Sequence, residues 1–193
     1  MQKFCVPIRG DYHRRLFPEI AMLRELPLFP SDRFGTALIE NSAGERTPGN
    51  TIRKVYLCRA TTNQLRPGDL LFFYMSKDER YAGSQSITTI GIVEQINHAI
   101  STGDLIQFTG KRSVYSADEL QDWRASVEEP VKVLDFLLVG HLNPAISLDV
   151  LIGQGVLRSA PQSIMLLKSE RYSVCGHRFL WHMRTNQPIR HWR

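Results

Sequence analysis

The sequence predicts an α+β domain built around a curled sheet or small barrel, and three observations predict it. Apolar runs of strand length recur in R-P-G-D-L-L-F-F-Y-M-S (66–76), I-T-T-I-G-I-V (87–93) and V-K-V-L-D-F-L-L-V-G-H-L (131–142), each bounded by polar or turn residues. The helical signals between them are short and carry their own caps. Strands and helices do not alternate as regular βαβ units, which argues against a doubly wound parallel sheet.

Lys3 to Ile8 is a predicted strand, with Phe4, Val6 and Ile8 alternating with Cys5 and Pro7. Pro7 has no N–H to give a ladder, so it marks an edge or an early end. After the polar loop R-G-D-Y-H, Asp11 is expected to cap a short helix through Ile20, with Leu16, Phe17 and Ile20 on one face. Residues 25–49, with Pro27, Pro30, Pro48, Gly35, Gly44 and Gly49, are expected to be loop, apart from a short strand at F-G-T-A-L-I-E. A helix is predicted from Asn50, whose side chain can accept an orphan backbone N–H, with Ile52, Val55 and Tyr56 sharing a face.

Pro67 sets φ and Gly68 tolerates positive φ, so R-P-G-D is a turn that launches a strand over 69–76. A polar loop over 77–86 returns the chain into a strand over 87–97, and a loop segment closes at 108–111. Ser116 and Glu119 form an S-x-x-E capping box that starts a helix. The strand over 131–142 is the longest, followed by a helix from about Ser147 to Gly153–Gly155. A last helix is predicted over Gln162 to Tyr172, with Ile164, Leu167 and Arg171 at helical spacing. The chain then divides into a domain over 1–172 and a basic extension over 173–193.

Composition narrows the function classes. The chain has 193 residues, 42% of them hydrophobic and 22% charged, an ordinary globular balance. No apolar stretch approaches the roughly 20 residues that span a bilayer, and M-Q-K-F-C-V-P-I-R lacks the longer apolar region and cleavage site of a signal peptide. A cytoplasmic protein with no membrane partner is the expectation. Cys5, Cys58 and Cys175 are odd in number and widely spaced, which speaks for reduced thiols rather than a disulfide framework. The net charge is +5 and the pI about 9.3, which permits a polyanionic partner. Basic residues gather near the two ends, as Arg9, Arg14 and Arg15 and as Arg178, Arg184, Arg190 and Arg193.

The motifs of several chemistries are missing. G-Q-G at 153–155 is followed by Arg158 where a dinucleotide fingerprint needs its third glycine. Val150 stands where an acetyl-CoA pyrophosphate loop needs Gln or Arg, and no P-loop, G-x-S-x-G or H-E-x-x-H occurs. Cys175, His177 and His182 are spaced as soft zinc ligands, with His191 as a fourth, but the paired-cysteine knuckle is missing and a basic tail is the preferred reading. No catalytic residues, metal or cofactor are assigned. What remains is a set of cations beside stackable rings: Arg9, Tyr12 and His13 after the first strand; Thr51, Arg53 and Lys54 at the predicted helix start; Tyr74 near a strand end; and Lys111, Arg112 and Tyr115 in G-K-R-S-V-Y. Cations hold phosphate and rings stack on bases, so this set points to nucleic acid or a nucleobase.

The order of segments resembles a known superfamily. A first strand followed by R-x-x-Y-H, then P-G-N-T-I-R-K-V-Y-L-C, then R-P-G-D-L-L-F-F-Y and T-T-I-G-I-V-E, and a late P-Q-S-I, are similar to PUA-like domains of the EVE/ASCH type, notably those appended to some GNAT-type acetyltransferases. The resemblance covers about residues 3–172. It implies a pseudo-barrel of five or six strands flanked by short helices, with a cleft that binds RNA or a modified nucleobase. The cleft would be lined by Arg9, Tyr12 and His13, the segment Thr51–Lys54, and strand ends at Tyr74 and Thr88. The preferred function is a nucleic-acid-binding module for RNA or modified DNA. Two alternatives stand beside it: an interaction domain for an acetyltransferase, and a small amidohydrolase of modified nucleosides using Thr51, Lys54 and Glu94.

Overall fold

A computed structural model gives the architecture and describes residues 1–20, 51–81, 83–110 and 114–167. In chain order the elements are β1 (Lys3–Ile8), α1 (Gly10–Leu16), β2 (Arg53–Cys58), β3 (Leu70–Met75), β4 (Ser86–Ala99), α2 (Thr102–Thr109), α3 (Ala117–Asp122), β5 (Val131–Ser147), α4 (Leu148–Gly153) and β6 (Met165–Leu166). The strands form one sheet in the order β2-β5-β4-β3-β1-β6. β1 and β3 run parallel and the other neighbours run antiparallel. The architecture is α+β, as the sequence predicts.

The two long strands set the shape. β4 has 14 residues and β5 has 17, and their ladder slips register three times, at Ile87/Thr89, Ile90/Gly91 and Val93/Gln95. Each such bulge adds twist and bends the pair, so the sheet curls on itself. Gly91 sits inside the curl, where a Cβ would lie 2.6 Å from Cδ2 of Phe136. The sheet stays open, because its edge strands β2 and β6 do not pair. A side chain crosses the gap instead: the Tyr56 hydroxyl on β2 donates to the Pro7 carbonyl on β1 at 2.9 Å. Pro7 lies beyond the two residues of β1 that β6 reaches, so its missing N–H leaves no ladder bond broken on that side.

Alternation along β1 and β3 separates two apolar clusters. Phe4, Val6, Leu71 and Phe73 join the larger one with Val55, Leu57, Val93 and Phe136. Cys5, Phe72 and Tyr74 join the other, with Ile87, Ile90 and Leu151. Both faces are covered, which is why L-L-F-F-Y-M is a continuous apolar run rather than an alternating one. The R-P-G-D turn anchors the start of β3: Gly68 has φ 88°, and the Asp69 carboxylate accepts from the N–H groups of Gln2 at 2.7 Å and Arg66 at 2.9 Å.

Several local expectations are corrected. The helix predicted from Asn50 is strand β2 from Arg53 to Cys58, because Val55 and Leu57 point into the core and six residues pair with β5; sheet pairing overrides the capping signal. α1 begins at Gly10 with Arg9 as an extended N-cap that makes no side-chain cap, and Asp11 sits in the first turn. It ends at Leu16 rather than Ile20, since Pro18 disfavours helical geometry at Phe17, which has φ −127° and ψ 62°. α2 was not expected; its cap is Ser101, which accepts from Asp104 N–H at 3.1 Å, while Asp104 accepts from Ile100 N–H at 2.9 Å. Met165 and Leu166 pair with Cys5 and Phe4 as β6, so the start of the predicted last helix is a strand. The capping box at Ser116 and Glu119 and the helix start at Ser147 are as predicted. The segment 25–49, the extension 173–193 and the zinc-ligand set lie outside the described residues. Among those described, no helix is long and apolar enough to cross a membrane.

Candidate functional site

A cleft of about 720 Å³ opens at the gap in the curled sheet, between the end of β1, β2 and α3. Tyr12, Tyr56, Tyr115 and Trp123 line it, with Arg9, Arg59, Glu119 and Asp122. The rings form a run. Tyr12 and Tyr115 have centroids 5.0 Å apart at an interplanar angle of 40°, and Tyr115 meets Trp123 edge-on at 6.1 Å. The guanidiniums of Arg9 and Arg15 lie 5.6 and 5.3 Å from the Tyr12 ring centroid, within cation–π range.

The local sequence builds this wall. The capping box that starts α3 turns Glu119 back toward α1, where Arg15 holds both of its oxygens at 2.8 Å. The Tyr12 hydroxyl reaches the same carboxylate at 3.4 Å. Arg15 also donates to the Val114 carbonyl, and Arg59 braces the far side by donating to Glu129 and to the Trp123 carbonyl. Hydrogen bonding to Arg15 holds the Glu119 carboxyl below its ordinary value, and burial pushes the phenols of Tyr12 and Tyr115 up. At neutral pH the wall therefore presents the neutral phenols of Tyr12 and Tyr115, charged guanidiniums and the ionised carboxylate of Glu119.

The opposite face of α1 looks onto a buried polar line. His13 Nε2 is 2.6 Å from Thr88 Oγ1, Thr88 Oγ1 is 3.2 Å from Thr89 Oγ1, and Thr89 Oγ1 is 3.0 Å from His141 Nδ1. His141 Nε2 lies 3.8 Å from Glu19 Oε2, and Lys54 Nζ lies 2.9 Å from Glu19 Oε1. The bulge between Ile87 and Thr89 lets two consecutive threonines both turn inward. The Lys54 side chain is 0% exposed and its ammonium sits 5.6 Å from the Phe17 ring centroid. Burial lowers the Lys54 pKa, and Glu19 opposes the shift. Burial also lowers that of His141, with Glu19 pulling it up and Lys54 pushing it down. Glu19 Oε2 and His141 Nε2 are buried and make no hydrogen bond among the described residues.

The structure thus divides the predicted site residues. Arg9, Tyr12 and Tyr115 meet in the cleft. His13, Thr88 and Lys54 lie on the buried line instead. Tyr74 is inside the smaller core cluster, and Thr51 is an exposed turn residue bonded to the Arg53 carbonyl. Lys111 and Arg112 lie outside the described residues. The helix N-terminus expected at Thr51–Lys54 does not exist, and the Thr51, Lys54 and Glu94 set does not converge. Arg53 and Lys54 are neighbours on a strand and point to opposite faces, Arg53 to Glu94 at 3.2 Å and Lys54 to Glu19. Sequence reasoning missed Glu19, His141, Glu119 and Trp123. A histidine inside an apolar strand was a signal for His141; nothing local marked Glu19.

No family model matches the sequence, and no curated protein is similar to it at a significant level. Solved structures of the ASCH protein of Zymomonas mobilis do match the fold. The structure without a stated mutation has 16% identity and a TM-score of 0.54, covering 91% of this chain and 94% of that one. A serine-to-alanine mutant has 12% identity and a TM-score of 0.57, covering 91% and 95%. A tyrosine-to-phenylalanine mutant has 12% identity and a TM-score of 0.57, covering 92% and 98%. The chain therefore shares the α+β, PUA-like fold of these structures, the fold that the segment order implies.

Proposed function

We propose that this PUA-like chain is a nucleic-acid-binding module that takes one unstacked base, from RNA or from DNA carrying a modified base, into the cleft between β1, β2 and α3. The carrying observation is the ring run Tyr12–Tyr115–Trp123 with two guanidiniums over Tyr12. Every base has a π face, so such a run stacks bases without demanding one sequence, and guanidiniums hold the flanking phosphates. The carboxylates of Glu119 and Asp122 face the same space and can accept from N–H groups on a base edge. Fluorescence anisotropy tests this with single- and double-stranded RNA and DNA, with and without modified bases, at two salt concentrations. Salt-sensitive binding with a preference inside the panel, weakened by Tyr12→Ala, is expected. No binding at low salt overturns the reading.

A second reading rests on the buried line. Lys54, Glu19, His141 and Thr89 bring an ammonium, a carboxylate, an imidazole and a hydroxyl together in a low-dielectric setting, with Glu19 25% and His141 11% exposed. That set can run hydrolysis of an acylated nucleoside: water adds to the acyl carbon, the C–N bond breaks, and the water proton passes to the leaving amine. Amine release from N-acyl nucleosides, abolished by Glu19→Gln, is the expected result. Turnover no faster than buffer removes this reading and leaves the binding module.

A further inference from the structure

We infer that the arginines on the outer face of α1 and on the β3–β4 loop form a phosphate track leading into the cleft, so that the partner is a single strand several nucleotides long rather than an isolated nucleoside. The inference rests on the cleft reading above and extends it from a base pocket to a path.

The loop after β3 is packed against α1. A Cβ at Gly10 would lie 2.5 Å from Cδ2 of Tyr81 and 2.7 Å from Oδ2 of Asp78, so glycine is what allows the approach. The Tyr81 hydroxyl donates to Asp11 Oδ1 at 3.0 Å. The Tyr81 ring then carries two guanidiniums, Arg14 at 4.9 Å and Arg80 at 5.3 Å from its centroid. Arg80 is held by three bonds to two carboxylates: its Nε and Nη2 donate to Asp78 at 2.9 and 2.8 Å, and its Nη2 donates to Asp11 at 2.9 Å. Asp11 Oδ2 is also 3.7 Å from Arg9 Nη2, and Arg9 lines the cleft. The chain of contacts therefore runs unbroken from Arg14 and Arg80, through Tyr81 and Asp11, to Arg9 and the Tyr12 ring.

Exposure decides which charge a partner meets. The side chains of Arg9 and Arg80 are 76% and 65% exposed, whereas those of Asp11 and Asp78 are 37% and 14% exposed. Asp11 and Asp78 lie beneath and orient the guanidiniums, which turn their free edges outward, while the exposed carboxylate on the same loop, Glu79, lies 3.8 Å from the Lys77 ammonium, which offsets its charge. Nη1 of Arg80 has no partner among the described residues, and Arg14 has no carboxylate within ion-pair distance among them. Guanidiniums held in fixed orientation with donors to spare match phosphate oxygens, which accept paired N–H bonds. The row is single and ends at a cleft that takes a base out of its stack. That geometry fits one strand, its phosphates over α1 and one base turned into the cleft.

The test uses the full chain and fluorescein-labelled single strands of about 1 to 12 nucleotides over a salt series. The double variant Arg14→Gln/Arg80→Gln should bind the longest strands on the order of 10-fold more weakly. Its slope of log K against log salt should be shallower by about 1.4, since each lost single-strand phosphate contact removes about 0.7. Binding of the mononucleotide should be unchanged, and Arg14→Lys/Arg80→Lys should restore most of the slope. An unchanged slope and unchanged affinity for long strands, in a protein whose Tyr12→Ala variant still loses affinity, overturn the track and leave the cleft reading standing. A loss that Lys does not restore assigns the arginines to holding the loop and also overturns the track. If the wild-type chain binds no strand of any length, the cleft reading fails and the track with it. Binding of an acidic polypeptide in place of every strand has the same meaning.

Discussion

Tyr12 and His13 are consecutive residues on one short helix, and they face regions built from similar side chains with opposite rules. On the Tyr12 side, Arg15, Glu119 and the rings stand at an open cleft, with the ion pair 40% and 32% exposed. On the His13 side, Lys54 and Glu19 end a line of buried groups, with the lysine fully enclosed. The contrast is one of dielectric. A charge pair in contact with water gains little and costs little. The same pair in a core must be matched on both sides, because a lone buried charge costs several kcal/mol. The cleft can therefore exchange partners freely, whereas the buried line also holds α1, β2, β4 and β5 in register and meets solvent only at Glu19 and His141.

The sharpest way to break that contrast is to remove Glu19. Glu19→Ala leaves the Lys54 ammonium enclosed without this carboxylate, and about 3–5 kcal/mol of stability should be lost. Denaturant unfolding followed by far-UV circular dichroism measures it. Lys54→Met should cost less, since it removes the enclosed charge and leaves Glu19 partly exposed. If Glu19→Ala costs less than 1 kcal/mol, the line does not carry the fold in the sense argued here.

The next effect separates the two faces of α1 through binding. Tyr12→Ala should lose about 1–3 kcal/mol of affinity for a single strand, with unfolding little changed. His13→Ala should do the reverse, because it leaves the buried Thr88 hydroxyl short of a partner, at a cost of about 1–3 kcal/mol in stability. Equal losses of affinity in both variants would mean that the helix acts as one unit and that the division is false.

How far the sequence shows this division can be followed residue by residue. The strands over 3–8, 69–76, 87–97 and 131–142 were legible because burial on both faces writes an apolar run directly into the chain. The capping box at Ser116 and Glu119 was legible because both partners are three residues apart. Strand β2 was misread as a helix because its state depends on β5, some 80 residues away in the register pairs Arg53–Leu137 to Cys58–Lys132. Arg9, Tyr12 and Tyr115 could be named as cation and rings, but nothing in their spacing says that Tyr12 meets Tyr115 across the gap while His13 turns to Thr88. The second role of Glu119, as the anchor for Arg15, is likewise a contact between elements that only folding creates.

A smaller effect lies in the pH dependence of the buried line. His141 titrates below its ordinary 6.5, chiefly because burial disfavours its charged form, with Lys54 adding to the shift and Glu19 opposing it. Between the lowered value and 6.5 the unfolded chain holds a proton that the folded chain lacks. Stability should therefore rise with pH across that window, and the penalty should be fully present below it. Unfolding measured from pH 5 to 7.5 in His141→Gln should lose this slope (about one proton). A slope that survives the substitution must come from another group, and the facing groups to examine are His13 through the two threonines, Glu19 and Lys54.

The smallest effect belongs to the cleft pair and is the most exacting test of the contrast. Arg15 holds Glu119 by two bonds of 2.8 Å, the same fork geometry that makes buried pairs strong. Exposure should nevertheless limit its value. A double-mutant cycle of Arg15→Ala and Glu119→Gln should give a coupling of about 0.2–1 kcal/mol that shrinks as salt is added. Glu119→Gln is the better partner change because glutamine can keep the bond to the Ser116 N–H that completes the capping box. A coupling above about 2 kcal/mol would put the cleft wall in the same class as the Lys54–Glu19 pair. Arg15 could then not leave Glu119 to meet a phosphate without unfolding α3, and the cleft would have to bind its base with the wall as it stands.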